Sequence, residues 1–126
     1  YNGGAVVTNS TSVITAADGN PNAVYFGFDS SEIDAQGQAV LNQQAQFLQA
    51  NPSARVVIAG YTDERGSREY NLALGERRAQ AAQAYLATSG VSASRMEAIS
   101  YGEDQPADPG HDEAAWAKNR RAEVSY

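Results

Sequence analysis

The chain has 126 residues, 42% of them hydrophobic and 19% charged, with a formal net charge of −6 and a pI near 4.6. That length makes one domain with its own core, and the acidic balance argues against a nucleic-acid binder, which needs a basic surface to displace counterions. No apolar run approaches the roughly 20 residues of a membrane span. The absence of cysteine excludes disulfides, thiolate catalysis and cysteine metal sites, and a single histidine, His111, and a single lysine, Lys118, weigh against histidine catalysis or a multi-histidine metal centre. Neither a cofactor nor a metal is expected.

Residues 1–22 are rich in Asn, Gly, Ser and Thr, with apolar pairs only at Val6, Val7 and Val13, Ile14, and read as a flexible tail or linker. They carry no basic n-region or apolar h-region, so they are not a signal peptide, and a start on Tyr1 suggests processing. The domain proper is read as 23–126. Ala23 to Phe28 is a short β-branched and aromatic strand, with Gly27 as a bulge or close-approach point, followed by a loop of Asp29, Ser30 and Ser31. Asp34 caps a helix running to about Ala50, with Val40, Leu41, Ala45, Phe47 and Leu48 on its buried side, and Asn51 and Pro52 stop it. Arg55 to Tyr61 is apolar enough for a central strand. Strand, helix and strand make a βαβ unit whose two strands can lie parallel.

A second helix opens at the N-cap Ser67 and runs to about Ser89, with Glu69 in its first turn and Gly90 as its stop. Met96 to Tyr101 is a third strand, 102–112 a turn-rich loop, Glu113 to Lys118 a helical turn or two, and Ala122 to Tyr126 an alternating last strand. The expected fold is an α/β two-layer sandwich, a mixed β-sheet of about four strands with helices packed on one face.

The stretch from Gly60 to Ala79 joins the central strand to the second helix through a charged loop. At about 100° per residue, Tyr70, Leu72, Leu74, Ala79, Ala81, Ala82, Tyr85 and Leu86 share one arc, and Glu76, Arg77, Gln80 and Gln83 oppose it. Asn71 and Arg78 fall inside the apolar arc, and a charge aimed at a core needs a partner. Gly75 lies between them, where it costs roughly 1 kcal/mol relative to alanine and leaves space beside Arg78. Ligands of α/β sheets bind at the carboxyl ends of the strands, where the loops 29–31 and 62–66 gather. That brings Asp29, Asp63 and Arg65 towards Asn71, Leu74 and Arg78, a set suited to a zwitterion. The arginine fork fits a carboxylate and an aspartate fits an ammonium.

Other readings compete with this one. Arg78 is as well explained by an ion pair with Asp63 or Asp29 inside the fold. Asp63, Glu64, Arg65 and Arg68 read as a solvated charged loop, and Asn119, Arg120 and Arg121 as a solvated helix end. His111 reads as a surface loop residue, and Trp116, Tyr25, Tyr61, Tyr85 and Tyr101 as core or core-edge packing. Asp29 and Asp63 as an acid and base pair would make a hydrolase, although a neighbouring arginine lowers an acid's pKa. A phosphoacceptor receiver domain fits poorly, because Ser30 follows Asp29 where an acidic pair is wanted and Lys118 precedes Asn119 rather than ending a strand.

YFGFDSSEI at 25–33, YTDERGSREYNLALGERRA at 61–79, SYGEDQP at 100–106 and NRRAEVSY at 119–126 together resemble the OmpA-C-like domain family, and within it the peptidoglycan-associated lipoproteins. The resemblance implies non-covalent binding of the peptidoglycan stem peptide through meso-diaminopimelate, whose side chain ends in an amine and a carboxylate. It places Asp63, Arg65, Leu74, Arg78, Phe28, Asp29 and Ser30 at the ligand, with Asn71 fixing the loop and Arg121 as a structural or edge residue. It further implies TolB as a partner, no catalysis, and a periplasmic location with an outer-membrane anchor on a lipidated N-terminal cysteine. These residues include no cysteine, and the tail-like start favours its removal.

Overall fold

Each helix begins where a short polar side chain takes up a free backbone N–H. In the computed structural model, which describes residues 22–126, Asp34 accepts from Gly37 N at 2.8 Å, Ser67 from Tyr70 N at 3.1 Å and Asp112 from Ala115 N at 2.9 Å. These caps open α1 (Ala35–Ala50), α2 (Arg68–Thr88) and α3 (Glu113–Asn119). Gly90 ends the second by adopting φ +100°, a conformation glycine enters without strain. The strands are β1 (Ala23–Tyr25), β2 (Val56–Tyr61), β3 (Met96–Gly102) and β4 (Arg121–Ser125), and a 3-10 turn over Ala93–Arg95 precedes β3. Apart from Asn22, the tail assigned to 1–22 lies outside the described residues. Asn22 itself is tied in, its carbonyl accepting from Val124 N at 2.9 Å.

The sheet order is β1-β4-β2-β3, with β2–β3 parallel and both β4 pairings antiparallel. β1 and β2 therefore run in the same direction, as a βαβ unit requires, but the last strand inserts between them. The adjacent parallel crossover is instead β2-α2-β3. The first strand is also shorter than Ala23 to Phe28. Phe26 N still bonds Arg120 O at 2.9 Å, after which the chain turns at Asp29 with φ +56°, so Gly27 belongs to a turn and not to a bulge.

Alternate residues of the strands, Val56 and Ile58 on β2 and Ala122 and Val124 on β4, meet Leu41 and Leu48 of α1 and Ala79, Ala82 and Leu86 of α2 in one core on the helical face. On α2 the buried residues are Asn71, Leu74, Gly75, Arg78, Ala79, Ala82 and Leu86. Tyr70 departs from the expected arc, being 44% exposed, and Gln83 departs the other way, being half-buried.

Gly75 is needed for a different reason from room beside Arg78. A Cβ there would come within 2.4 Å of Ser100 Oγ and 2.9 Å of Gly60 O, and a Cβ on Gly60 would meet Gly75 O at 1.7 Å. The helix and β2 thus touch backbone to backbone, which sets how closely the first turns of α2 approach the end of β2. Gly75→Ala, which would gain roughly 1 kcal/mol of helix propensity, is expected instead to lose about 1–3 kcal/mol by overpacking. Chemical denaturation measures this directly.

Candidate binding site

The loop after β2 begins with buried Thr62 and Asp63 and turns outwards at Glu64. Asp63 turns inwards, with its side chain only 5% exposed, and takes two bonds from Arg65: backbone N to Oδ1 at 3.0 Å and Nη2 to Oδ2 at 2.7 Å. Arg120 Nη1 lies 3.5 Å from the same Oδ2. Burial alone would raise the Asp63 carboxyl, but the Arg65 bonds and the charges of Arg65 and Arg120 outweigh it and hold the group below the usual carboxylate range. Asn71 fixes the loop from α2, its Nδ2 donating to Arg65 O at 3.0 Å, Glu103 Oε1 at 2.7 Å and, more weakly, Asp63 O at 3.3 Å.

Arg78 is 0% exposed. Instead of a carboxylate, its hydrogen bonds go to three carbonyls: Nε to Ser30 O at 2.8 Å, Nη1 to Tyr61 O at 2.8 Å and Nη2 to Gly27 O at 3.1 Å. A guanidinium has five N–H groups, so two are left over. Burial pushes its pKa down to about 10 against the pull of Asp63, and the side chain stays cationic at neutral pH. The three bonds staple the turn carrying Phe28 and Asp29 to the end of β2.

These elements enclose an open cleft of about 180 Å³ lined by Phe28, Asp29, Thr62, Asp63, Arg65, Gly66, Tyr70, Asn71, Leu74 and Arg78. Of the residues named from sequence, Phe28, Asp29, Asp63, Arg65, Leu74, Arg78 and Asn71 come together here. Ser30 does not line the cleft; its carbonyl holds Arg78 and its hydroxyl accepts from Glu32 N at 3.1 Å. Gly75 lies behind, at the helix–sheet contact. Arg121 lies on the sheet face away from the helical core, its guanidinium 3.7 Å from the Tyr61 ring, which in turn stacks on Tyr101 at 5.5 Å.

The solvated helix end at 119–121 is corrected. Asn119, Arg120 and Arg121 are 3%, 7% and 5% exposed, because β4 begins there and draws the run into the sheet. Arg120 donates from Nε to Phe26 O at 2.9 Å and from Nη2 to Glu113 at 2.9 Å. The solvated loop reading is corrected in part: Asp63 is buried, whereas Glu64 and Arg68 are exposed, Arg68 pairing with Asp104 at 2.7 Å. His111 is exposed as expected, paired with Glu64 at 2.8 Å.

Sequence reading missed Tyr70, whose hydroxyl bonds the Asp29 carboxylate at the rim, and, although it placed a helical turn or two at Glu113 to Lys118, it did not connect that helix, α3, with the cleft. From that helix Glu113 approaches Arg65 at 3.9 Å, and Trp116 places its ring 4.1 Å from the Arg65 guanidinium carbon. The one available signal was the spacing of Glu113, Trp116 and Arg120, which puts them on one side of a short helix. Among the described residues, no group of three or more His, Cys, Asp or Glu could hold a metal ion, and no helix is long and apolar enough to cross a membrane.

Residues 25–120 match the OmpA family. The chain belongs to that family. It is 52% identical over 105 residues to the peptidoglycan-associated lipoprotein of Pasteurella multocida, covering 83% of this chain and 70% of the relative. It is likewise 52% identical over 100 residues to that of Pseudomonas putida, covering 79% and 60%. The crystal structure of the peptidoglycan-associated lipoprotein from Burkholderia pseudomallei superposes with a TM-score of 0.82 at 47% identity, covering 88% of this chain and 97% of that one. This OmpA-family fold also occurs in the C-terminal domain of Helicobacter pylori MotB, with a TM-score of 0.76 at 23% identity over 82% of each chain.

Proposed function

We propose that this domain binds peptidoglycan non-covalently by seating the zwitterionic end of meso-diaminopimelate in the cleft between Phe28 and Arg78. The carrying observation is one small cleft in which a buried carboxylate, Asp63, lies beside two guanidinium groups with different surroundings, in a chain half identical to peptidoglycan-associated lipoproteins. Asp63 retains lone pairs for an ammonium, and the spare N–H groups of Arg78, the half-exposed Arg65 and the backbone amides at Asp29 suit a carboxylate. Leu74 and Phe28, the latter 62% exposed, cover the aliphatic chain of the ligand. Two or three charge-assisted bonds of about 1.5–3 kcal/mol each support roughly micromolar affinity after ordering costs.

In this reading the domain is a periplasmic module that tethers the outer membrane to the cell wall through a lipid anchor and is partnered by TolB in the Tol-Pal system; the name of its relatives, peptidoglycan-associated lipoprotein, supports the attachment to the wall. Catalysis has no place in it. A hydrolase needs a carboxyl that stays protonated near neutral pH, and the arginines act on Asp63 in the opposite direction. Incubation with peptidoglycan is expected to release neither sugar nor peptide fragments.

Co-sedimentation with purified sacculi tests the binding. Wild-type protein is expected in the pellet, and Phe28→Ala and Arg65→Ala, both folded by circular dichroism, largely in the supernatant. Wild-type protein that stays soluble beside sacculi contradicts the reading.

A further inference from the structure

Arg65 is the more exposed cation of the cleft, its side chain 33% exposed against a fully buried Arg78, and its position is set from outside the cleft. Its guanidinium carbon lies 4.1 Å from the centroid of the Phe28 ring and 4.1 Å from the Trp116 ring, so two aromatic faces from separate parts of the chain flank it. Each ring quadrupole attracts the cation, and together they leave it few orientations. The indole is itself held: Trp116 Nε1 donates to Glu64 Oε2 at 3.0 Å, and Glu64 is anchored on its other side by His111 at 2.8 Å. Glu113, one turn before Trp116 on α3, stands 3.9 Å from Arg65 and braces Arg120, whose Nη1 lies 3.5 Å from Asp63. Trp116 does not line the cleft, so it acts on a ligand only through Arg65.

We propose that Trp116 is the positioning residue that gives the cleft its preference for a carboxylate-bearing side chain. Clamped between Phe28 and Trp116, Arg65 keeps Nη2 on Asp63 at 2.7 Å, while its Nε is buried without a hydrogen-bond partner and remains a donor for a ligand. Without the indole, the guanidinium is free to sample solvent, and a carboxylate in the cleft loses a pre-placed partner. A ligand ending in an amine alone makes no use of that partner. The inference rests on the diaminopimelate reading above.

The test is calorimetric titration of the full chain with two muropeptides, one containing diaminopimelate and one containing lysine at the same position. Wild-type protein is expected to prefer the first at least thirtyfold. Trp116→Ala should weaken diaminopimelate binding about tenfold while changing lysine binding less than twofold, so that the preference collapses. Trp116→Phe keeps a ring over Arg65 and loses only the bond to Glu64, and should restore most of the preference. Equal weakening for both muropeptides in Trp116→Ala, or an unchanged preference, overturns the positioning role. Should Trp116→Ala unfold, Trp116→Leu, which fills space without a π-face, must show the same collapse. If the wild type binds neither muropeptide, the binding reading itself fails, a result distinct from loss of the Trp116 effect.

Discussion

Arg78→Ala is expected to cost about 3–5 kcal/mol of folding stability and to abolish binding to diaminopimelate-containing muropeptides. The substitution empties the volume of a fully buried side chain and removes the guanidinium donor from the carbonyls of Ser30, Tyr61 and Gly27, of which Gly27 keeps only the bond from Ser30 N at 3.2 Å. Against a total stability of roughly 5–15 kcal/mol, that is enough to compromise the domain. Arg78→Lys separates the two roles. A lysine keeps the charge on one compact head and cannot serve three carbonyls at once, so it should fold with lower stability and bind at least tenfold more weakly. Urea denaturation and titration of the same preparation give both quantities. An Arg78→Lys protein that binds like wild type would reduce Arg78 to a counter-charge.

Asp63→Asn is expected to destabilise by about 3–5 kcal/mol, because it removes the carboxylate that offsets Arg120 and Arg78 inside the fold and Arg65 at its edge. The penalty has a pH signature. The Asp63 carboxyl is held below its ordinary value in the folded state, so its contribution is fully present above the unfolded value of about 3.9. It is lost as pH falls through the lowered folded value. The gap in stability between wild type and Asp63→Asn should therefore be constant from pH 5 to 8 and close progressively below about pH 4. Thermal unfolding across that series measures it, and a gap that persists unchanged at pH 2 would mean that Asp63 acts by shape rather than by charge.

The parts of the fold written into short windows were legible. Asp34, Ser67 and the glycine at position 90 mark helix ends by local chemistry, and each functions as that chemistry requires. Sheet order was not legible, because nothing within Ala122 to Tyr126 says that this strand inserts between β1 and β2; that is decided by which hydrophobic faces meet. Arg78 stood out because a cation in an apolar stripe is costly, yet its partners are backbone carbonyls, which no sequence pattern names. Gly75 stood out too, but the close approach it permits is to Gly60 and Ser100, residues of two other elements. Trp116 meets Glu64 across 52 positions, so its hold on the Arg65 loop could be seen only in three dimensions.

Whether the cleft recognises an amine and a carboxylate together is decided by one titration. Wild-type protein is titrated calorimetrically with a diaminopimelate-containing muropeptide at near-neutral pH and physiological salt. A single site of roughly micromolar affinity is expected, with matched lysine-containing muropeptide binding at least thirtyfold more weakly. Equal affinity for the two, or no heat with either, would contradict it.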